Sequence, residues 1–532
     1  MQYETASLLN LAISLIIDTG FSWIRMFAAL GVSIVISIIL GIYAATHRFA
    51  EKLIIPVIDI LQTVPILAFF PVVIFLIVGA LPGSLGINIA VVFLIITSMV
   101  WNIILGVYEA MKVLPKEYGE LSKLYGLSKL EEFRKIYLPA VMPKVAEQST
   151  LSWSIGLFYL VTSEIFSTGN ANYAVKTGIG AAIASPAITG SIVSYGMALI
   201  IFVAFVIATR LLFFKPFEDY ASRYNKHSAK AKARTFPKAV TYAKVMKAFS
   251  SRIIKKIGPA DNIAKKAKSA KSKKYTYGNA DKATIPDRFG YLIKYVIMLA
   301  VIVGVVAFFL TSPKMVDYEI EVIKAFAYSF ARIWIAFALT LAVGIPISVY
   351  IIFVTRHGSR YVLFFQILSS IPATILLPAI VSGLRGLPYY GELVAFIVFF
   401  LSGIWYIIFS TLSIAKTLPP NILEVKDIYG VKGGEAWKKI YLKAIIPGLI
   451  TGAITGIAAE WNAAIVAEYF SIGTNVVSQV SVGVGKLLDL SLAVNNLPLM
   501  LLTLINMTAM IIIINTLLWK RLYRRLAKIY GG

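Results

Sequence analysis

The sequence predicts an all-α integral membrane protein, two parallel transmembrane domains fused in one chain, with about 11 spans of the roughly 20 apolar residues that a crossing needs. Three observations carry this. Of 532 residues, 58% are hydrophobic and only 14% charged, with a mean hydropathy of +0.80, whereas a soluble domain is about a quarter charged. Long apolar runs recur through both halves. A polar segment of one pattern interrupts those runs twice, as ELSKLYGLSKLEEFRKIYLP at 120–139 and EVKDIYGVKGGEAWKKIYLK at 424–443.

Taken in order, residues 1–20 form an apolar stretch flanked by Glu4 and Asp18, too short to span before the first crossing at 22–46. Spans follow at 53–80, 87–112, 145–166 and 188–214, which closes a first domain at 1–214. Residues 215–290 are a linker with twenty Lys and Arg against five Asp and Glu. The second domain, 291–532, opens with an extra span at 291–311 and continues with 326–354, 361–384, 391–415, 447–468 and 497–519. Basic loops mark the cytoplasmic side. Linker, basic tail and both polar segments therefore belong inside, and the N-terminus outside. The short loops agree, since 47–52 and 355–360 carry basic residues and 81–86 carries none.

The halves repeat beyond the polar segments. Arg25 matches Arg332, Pro65 matches Pro372 and Pro71 matches Pro378 at one offset. After a small gap Trp101 matches Trp405, Pro143 matches Pro447, Glu164 matches Glu468, and TGIG (177–180) matches VGVG (482–485). Five spans per repeat would invert the second copy; the span at 291–311 restores a parallel arrangement. A five-plus-five inverted-repeat secondary transporter, with its site between broken helices, is the alternative. It would place one polar segment outside.

Composition excludes other classes. A net charge of +25 would point to nucleic acid in a soluble protein; here it reads as cytoplasmic loops, with the lipid bilayer as partner and no nucleic acid. There is no Cys, and the three His residues (His47, His227, His357) sit in loops or linker, so no metal cluster is expected. The N-terminus lacks a basic region and cleavage site and does not read as a signal peptide. VGVGKLLD imitates a phosphate loop but lacks the first Gly and the Ser/Thr after Lys486.

Each polar segment has Glu, five residues, Gly, nine residues, then Ile-x-Leu. This pattern resembles the EAA loop of permease subunits from binding-protein-dependent ABC importers. Glu120, Gly126, Ile136, Leu138 and Pro139 match it in the first copy, with Leu121 and Ser122 in place of the usual Ala pair. Glu424, Gly430, Ile440 and Leu442 match in the second, where Lys443 stands in place of the proline. The stretch AAEWNAAIVAEYF (458–470) is similar to the nitrate/sulfonate/taurine group. The resemblance implies a permease component without an ATPase of its own, moving a small solute, an anion by family. It implies two cytoplasmic ABC ATPase subunits on the two loops, an extracellular solute-binding protein, and no cofactor on this chain, ATP being used by the partners. A plasma-membrane location follows.

Candidate pathway residues are Arg25, Pro65, Glu164, Arg332, Pro372 and Glu468. Each has a plainer reading. The prolines are equally packing kinks, which membrane helices tolerate. Arg25 and Arg332 either attract an anion or snorkel to headgroups, the simpler expectation. Glu164 and Glu468 either gate the outer mouth or pair with those arginines. Asp59 and Glu460 have no charged counterpart in the other half.

Overall fold

The computed structural model describes residues 2–61, 83–115, 117–168, 177–183, 191–224, 315–355, 358–414, 430–431, 433–472, 475–494 and 496–514, with a few single residues between them. The chain divides into two compact units, 1–224 with 302–532, and 225–301. The extra span at 291–311, nearly all of the linker, Glu424, Pro65, Pro71 and the basic tail lie outside the described residues.

In the first half, α1 (Gln2–Thr46) is one helix of 45 residues, about 68 Å long at 1.5 Å per residue. The apolar stretch at 1–20 and the first span are thus continuous, a correction to the sequence reading. Asp18 does not end the helix because its carboxylate accepts the Gly178 N–H from another segment. Next come α2 (Arg48–Leu61), α3 (Ser84–Lys112), the short α4 (Glu117–Leu124) and α5 (Lys129–Glu132), then the long α6 (Leu138–Thr168) and α7 (Ile192–Thr209). Helical structure runs on through α8 (Lys215–Ala221) to Tyr224. The expected linker start at 215 therefore moves. Glu218 explains it, accepting from Arg210 Nη1 at 2.9 Å and from Thr150 Oγ1 at 2.7 Å, which pins α8 to α6.

The second half repeats the order: α9 (Met315–Val349), α10 (Gly358–Ser369), α11 (Ala373–Leu384), α12 (Tyr390–Ile414), the single turn α13 (Gly433–Ala436) and α14 (Leu442–Glu468), then α15 (Val484–Ala493) and α16 (Leu497–Ile514). The expected span at 361–384 is two helices, bent by 80°. Pro372 caps α11 with extended backbone (ψ 142°), and a residue preceding proline is held out of helical geometry. A helical reading throughout also missed one hairpin. Tyr469–Ile472 (β1) pairs antiparallel with Asn475–Gln479 (β2), with a bulge between Phe470 and Ser471.

Among the described residues seven helices are long and apolar enough to cross a membrane, or eight if the bent pair counts as one. In each half the packing centres on one trio, α1, α3 and α6 in the first and α9, α12 and α14 in the second. Small residues allow the close approach, which is how helices associate where no hydrophobic driving force exists. A Cβ at Gly452 would lie 2.8 Å from the Tyr406 carbonyl oxygen, so α14 and α12 touch backbone to backbone.

Candidate functional site

The first polar segment folds as a capped knob. After α4 the chain turns at Gly126, whose φ of +61° a side-chain-bearing residue rarely adopts, and Leu127 N donates to the Ser122 carbonyl at 3.0 Å. Ser128 then caps α5. Its Oγ accepts from Glu131 N at 3.3 Å, and Glu131 Oε2 accepts from Ser128 N at 3.1 Å, a reciprocal capping box. Lys135, 2.8 Å away, together with this cap holds the Glu131 carboxyl well below the usual carboxylate range, at about 2. Glu120 is exposed on α4, while Ile136, Leu138 and Pro139 are half-buried where the knob joins α6.

The second copy repeats the turn, with φ +62° at Gly430. Both copies enter their long helix through a wide π-type turn at equivalent places, Phe133–Tyr137 and Trp437–Tyr441. Pro139 does not cause that turn, because Lys443 replaces it in the second copy. Such turns inside helices mark special sites more often than chance. Tyr441 stacks on Phe353 with ring centroids 4.6 Å apart, and Ile440 and Leu442 pack beside it. The second loop is thereby anchored to the helical turn Tyr350–Val354 that continues α9.

The long helices α6 and α14 lead from these loops to two buried charge clusters. In the first, Arg25 Nη1 donates to Glu164 Oε1 at 2.7 Å, Nε to Asn88 Oδ1 at 2.7 Å and Nη2 to the Thr177 carbonyl at 2.8 Å. Ser22 Oγ lies 2.7 and 2.9 Å from the two Glu164 oxygens, and Gly180 N donates to Oε2 at 2.9 Å. In the second, Arg332 Nη1 donates to Glu468 Oε1 at 3.1 Å and its remaining nitrogens engage Glu392. Gly485 N donates to Glu468 Oε2 at 2.8 Å, and Val484 N to Ser329 Oγ at 2.8 Å, as Ile179 N does to Ser22 Oγ at 2.9 Å. The clusters are the same device built twice.

Both arginines are therefore paired below the surface (7% and 6% exposed) rather than snorkelling. The physical reason is desolvation. An unpaired charge at this depth costs roughly 2.5–3.5 kcal/mol, and a carboxylate with two or three donors offsets it. The glycines of TGIG and VGVG serve the same clusters. A Cβ at Gly178 would lie 2.6 Å from Glu164 Cδ, and one at Gly483 would overlap the Glu468 carboxyl. Lys486 donates to the Val480 carbonyl at 2.9 Å, so the imitation phosphate loop is a carboxylate cradle. Ser22, Ser329, Asn88 and Glu392 escaped the sequence reading. The repeat offsets that align Arg25 with Arg332 and Glu164 with Glu468 also align Ser22 with Ser329 and Asn88 with Glu392, and would have found them.

One polar node joins the halves. Asn462 Oδ1 accepts from Tyr159 OH at 2.9 Å and from Ile66 N at 2.9 Å, and Tyr195 OH donates to the Ile375 carbonyl at 2.8 Å. The segments that meet, around Tyr159 and Asn462, occupy nearly equivalent places in the two repeats.

Duplicated helical membrane domains, each with a positive-φ glycine turn and a wide turn at one end of a long helix and a buried Arg–Glu cluster at the other, define a multi-pass membrane protein of the permease class. The chain belongs to the family of binding-protein-dependent transport system inner membrane components, whose profile matches residues 37–215 and 358–528. It is similar to a nitrate import permease protein, NrtB, of Synechocystis sp. (24% identical over 145 residues, 27% of this chain and 50% of that protein). It is also similar to a bicarbonate transport system permease protein, CmpB, of Synechococcus elongatus (22% over 159 residues, 29% and 55%). A glycine betaine/proline betaine transport system permease protein, ProW, of Escherichia coli matches at 27% over 148 residues (28% and 40%). The chain thus spans about half the length of the curated relatives it matches.

Proposed function

We propose that this chain supplies two membrane domains of an ATP-driven importer, and that it carries a small solute, an anion, handed over by an extracellular binding protein. Two ATPase subunits, separate from this chain, seat on the knobs at 120–139 and 424–443 from the cytoplasmic side, with the N-terminus outside. ATP is bound and hydrolysed by those partners and not here. The observation that carries this reading is the duplicated knob. A positive-φ glycine turn and a wide turn lead in both copies into a helix that ends in a buried charge cluster. Force applied at such a knob travels along a rigid helix of 31 residues in one half and 27 in the other.

The anion part comes from the relatives that carry nitrate and bicarbonate in their names. Arg25 and Arg332 do not contribute to it as free cations, being matched by carboxylates. Pro372, at the bend before α11, and the Tyr159–Asn462 node are the better candidates for the pathway, because they lie between helices or between halves. Single cysteines introduced into this Cys-free chain test the orientation. An impermeant thiol reagent applied to intact cells should label Ser84→Cys and leave Lys129→Cys and Glu435→Cys untouched. Labelling of one knob and not the other is the result expected of an inverted-repeat secondary carrier and would overturn the proposal.

A further inference from the structure

Glu460 is a fully buried carboxyl that none of the features above employs. It sits on α14 two turns before Glu468, facing α9 and α12 of its own half. Its Oε1 lies 2.9 Å from Thr340 Oγ1, and its Oε2 has no hydrogen-bond partner. The same Thr340 oxygen lies 3.0 Å from the Ala336 carbonyl oxygen one turn back. A threonine hydroxyl carries one hydrogen, and a carbonyl oxygen only accepts. Both contacts are satisfied together when the carboxyl donates to Thr340 and Thr340 donates to Ala336.

Among the described residues no charge compensates the group from the surrounding helices. On α9, Arg332 is two turns from Thr340 and engaged by Glu392 and Glu468. On α12, Glu392 is three turns from Gly403, and Tyr406 interacts with Tyr159. On α15, Lys486 binds backbone carbonyls and Asp489 is itself a buried acid. On α14 itself, Lys443 is more than four turns away at the far end of the helix. Thr340 is the one polar group acting on Glu460 among the described residues.

The first half shows that packing alone does not require a carboxyl here. At the repeat offsets, Gly156 stands for Glu460, Met99 for Gly403 and Ser33 for Thr340. There Met99 fills the gap over Gly156, where a Cβ would run into its terminal methyl. In the second half the direction is reversed, and Glu460 fills the gap over Gly403, where a Cβ would overlap its carboxyl. An unbranched side chain of similar length closes each gap from opposite helices, once apolar and once acidic.

We propose that Glu460 is a proton-binding site of the second half, its carboxyl held protonated in the membrane core, with the bound proton tying α14 to α9 through Thr340. The inference does not rest on the importer reading. The test uses the purified full chain and Glu460→Gln. Difference infrared spectra between the two should show the carbonyl stretch of a protonated carboxylic acid at both pH 5 and neutral pH. The gap between the thermal midpoints should be smallest below about pH 4, where the unfolded chain also keeps the proton. As pH rises the wild type should fall behind the Gln variant, because the unfolded chain releases a proton that the folded chain keeps. Should Glu460→Gln fail to fold, the double exchange Glu460→Gly with Gly403→Met installs the first half's apolar pair, and it should fold and lose the same infrared band. Absence of the acid band at both pH values, or a wild type more stable than the Gln variant at neutral pH, would show an ionised carboxylate held by a counter-charge and overturn the proposal.

Discussion

Consider Arg25→Ala. It removes the guanidinium that bonds Glu164, Asn88 and the Thr177 carbonyl, and leaves Glu164 fully buried without its counter-charge, Ser22 and the Gly180 N–H staying among its partners. Breaking a buried ion pair from one side costs about 3–5 kcal/mol. A second route gives the same size. If the stranded carboxyl takes up a proton instead, protonating a group of ordinary pKa near 4.3 at pH 7 costs about 3.7 kcal/mol at 1.36 kcal/mol per unit. That cost shrinks to about 1 kcal/mol at pH 5 by the same arithmetic, so the variant should regain stability as pH falls. Arg25→Met with Glu164→Gln removes both charges, and should lie within about 1–2 kcal/mol of wild type. The assay is unfolding of the purified chain for wild type, both single variants and the double, at pH 7 and pH 5. A coupling energy under about 0.5 kcal/mol, the scatter of independent sites, would mean that the cluster is not a mutually dependent unit.

Other consequences are equally direct. Gly126→Val and Gly430→Val force side chains into positive φ at a local cost of about 1–3 kcal/mol; the membrane core should still fold while solute-stimulated ATPase activity of the assembled complex falls. Ser128→Ala removes the cap of the first knob, worth about 0.5–2 kcal/mol, and should raise proteolytic cutting near 125–132 without changing the thermal midpoint of the core. Tyr159→Phe leaves Asn462 bonded to Ile66 N and should cost about 0.5–1.5 kcal/mol. Asn462→Ala strands both donors and should cost more, measured by unfolding of the same preparation.

Much of this was legible because duplication makes a sequence its own comparison. The spacing from Glu to Gly to Ile-x-Leu located both turns, and φ of +61° and +62° at Gly126 and Gly430 is the geometry such a glycine serves. Matching Arg25 to Arg332 and Glu164 to Glu468 located four members of the two clusters. The serines and the Asn88/Glu392 position were hidden because hydroxyls and lone polar residues are common in membrane helices and say nothing until a partner is seen. The hairpin at 469–479 was masked by apolar surroundings, although its β-branched run around Gly473-Thr474-Asn475 is a strand-turn-strand pattern. The first helix was cut too early because Asp18 looks like a boundary in sequence, and only its bond to the Gly178 N–H shows why it is tolerated.

The central claim is that two like knobs on one chain receive separate ATPase subunits. Site-specific photo-cross-linking in cells, from Lys129 of the first knob and Glu435 of the second, addresses it directly. Mass spectrometry of the adducts should identify at both sites a protein bearing a GxxxxGK[ST] phosphate loop. Adducts that contain no nucleotide-binding protein at either site, from a chain correctly inserted in the membrane, would contradict the account.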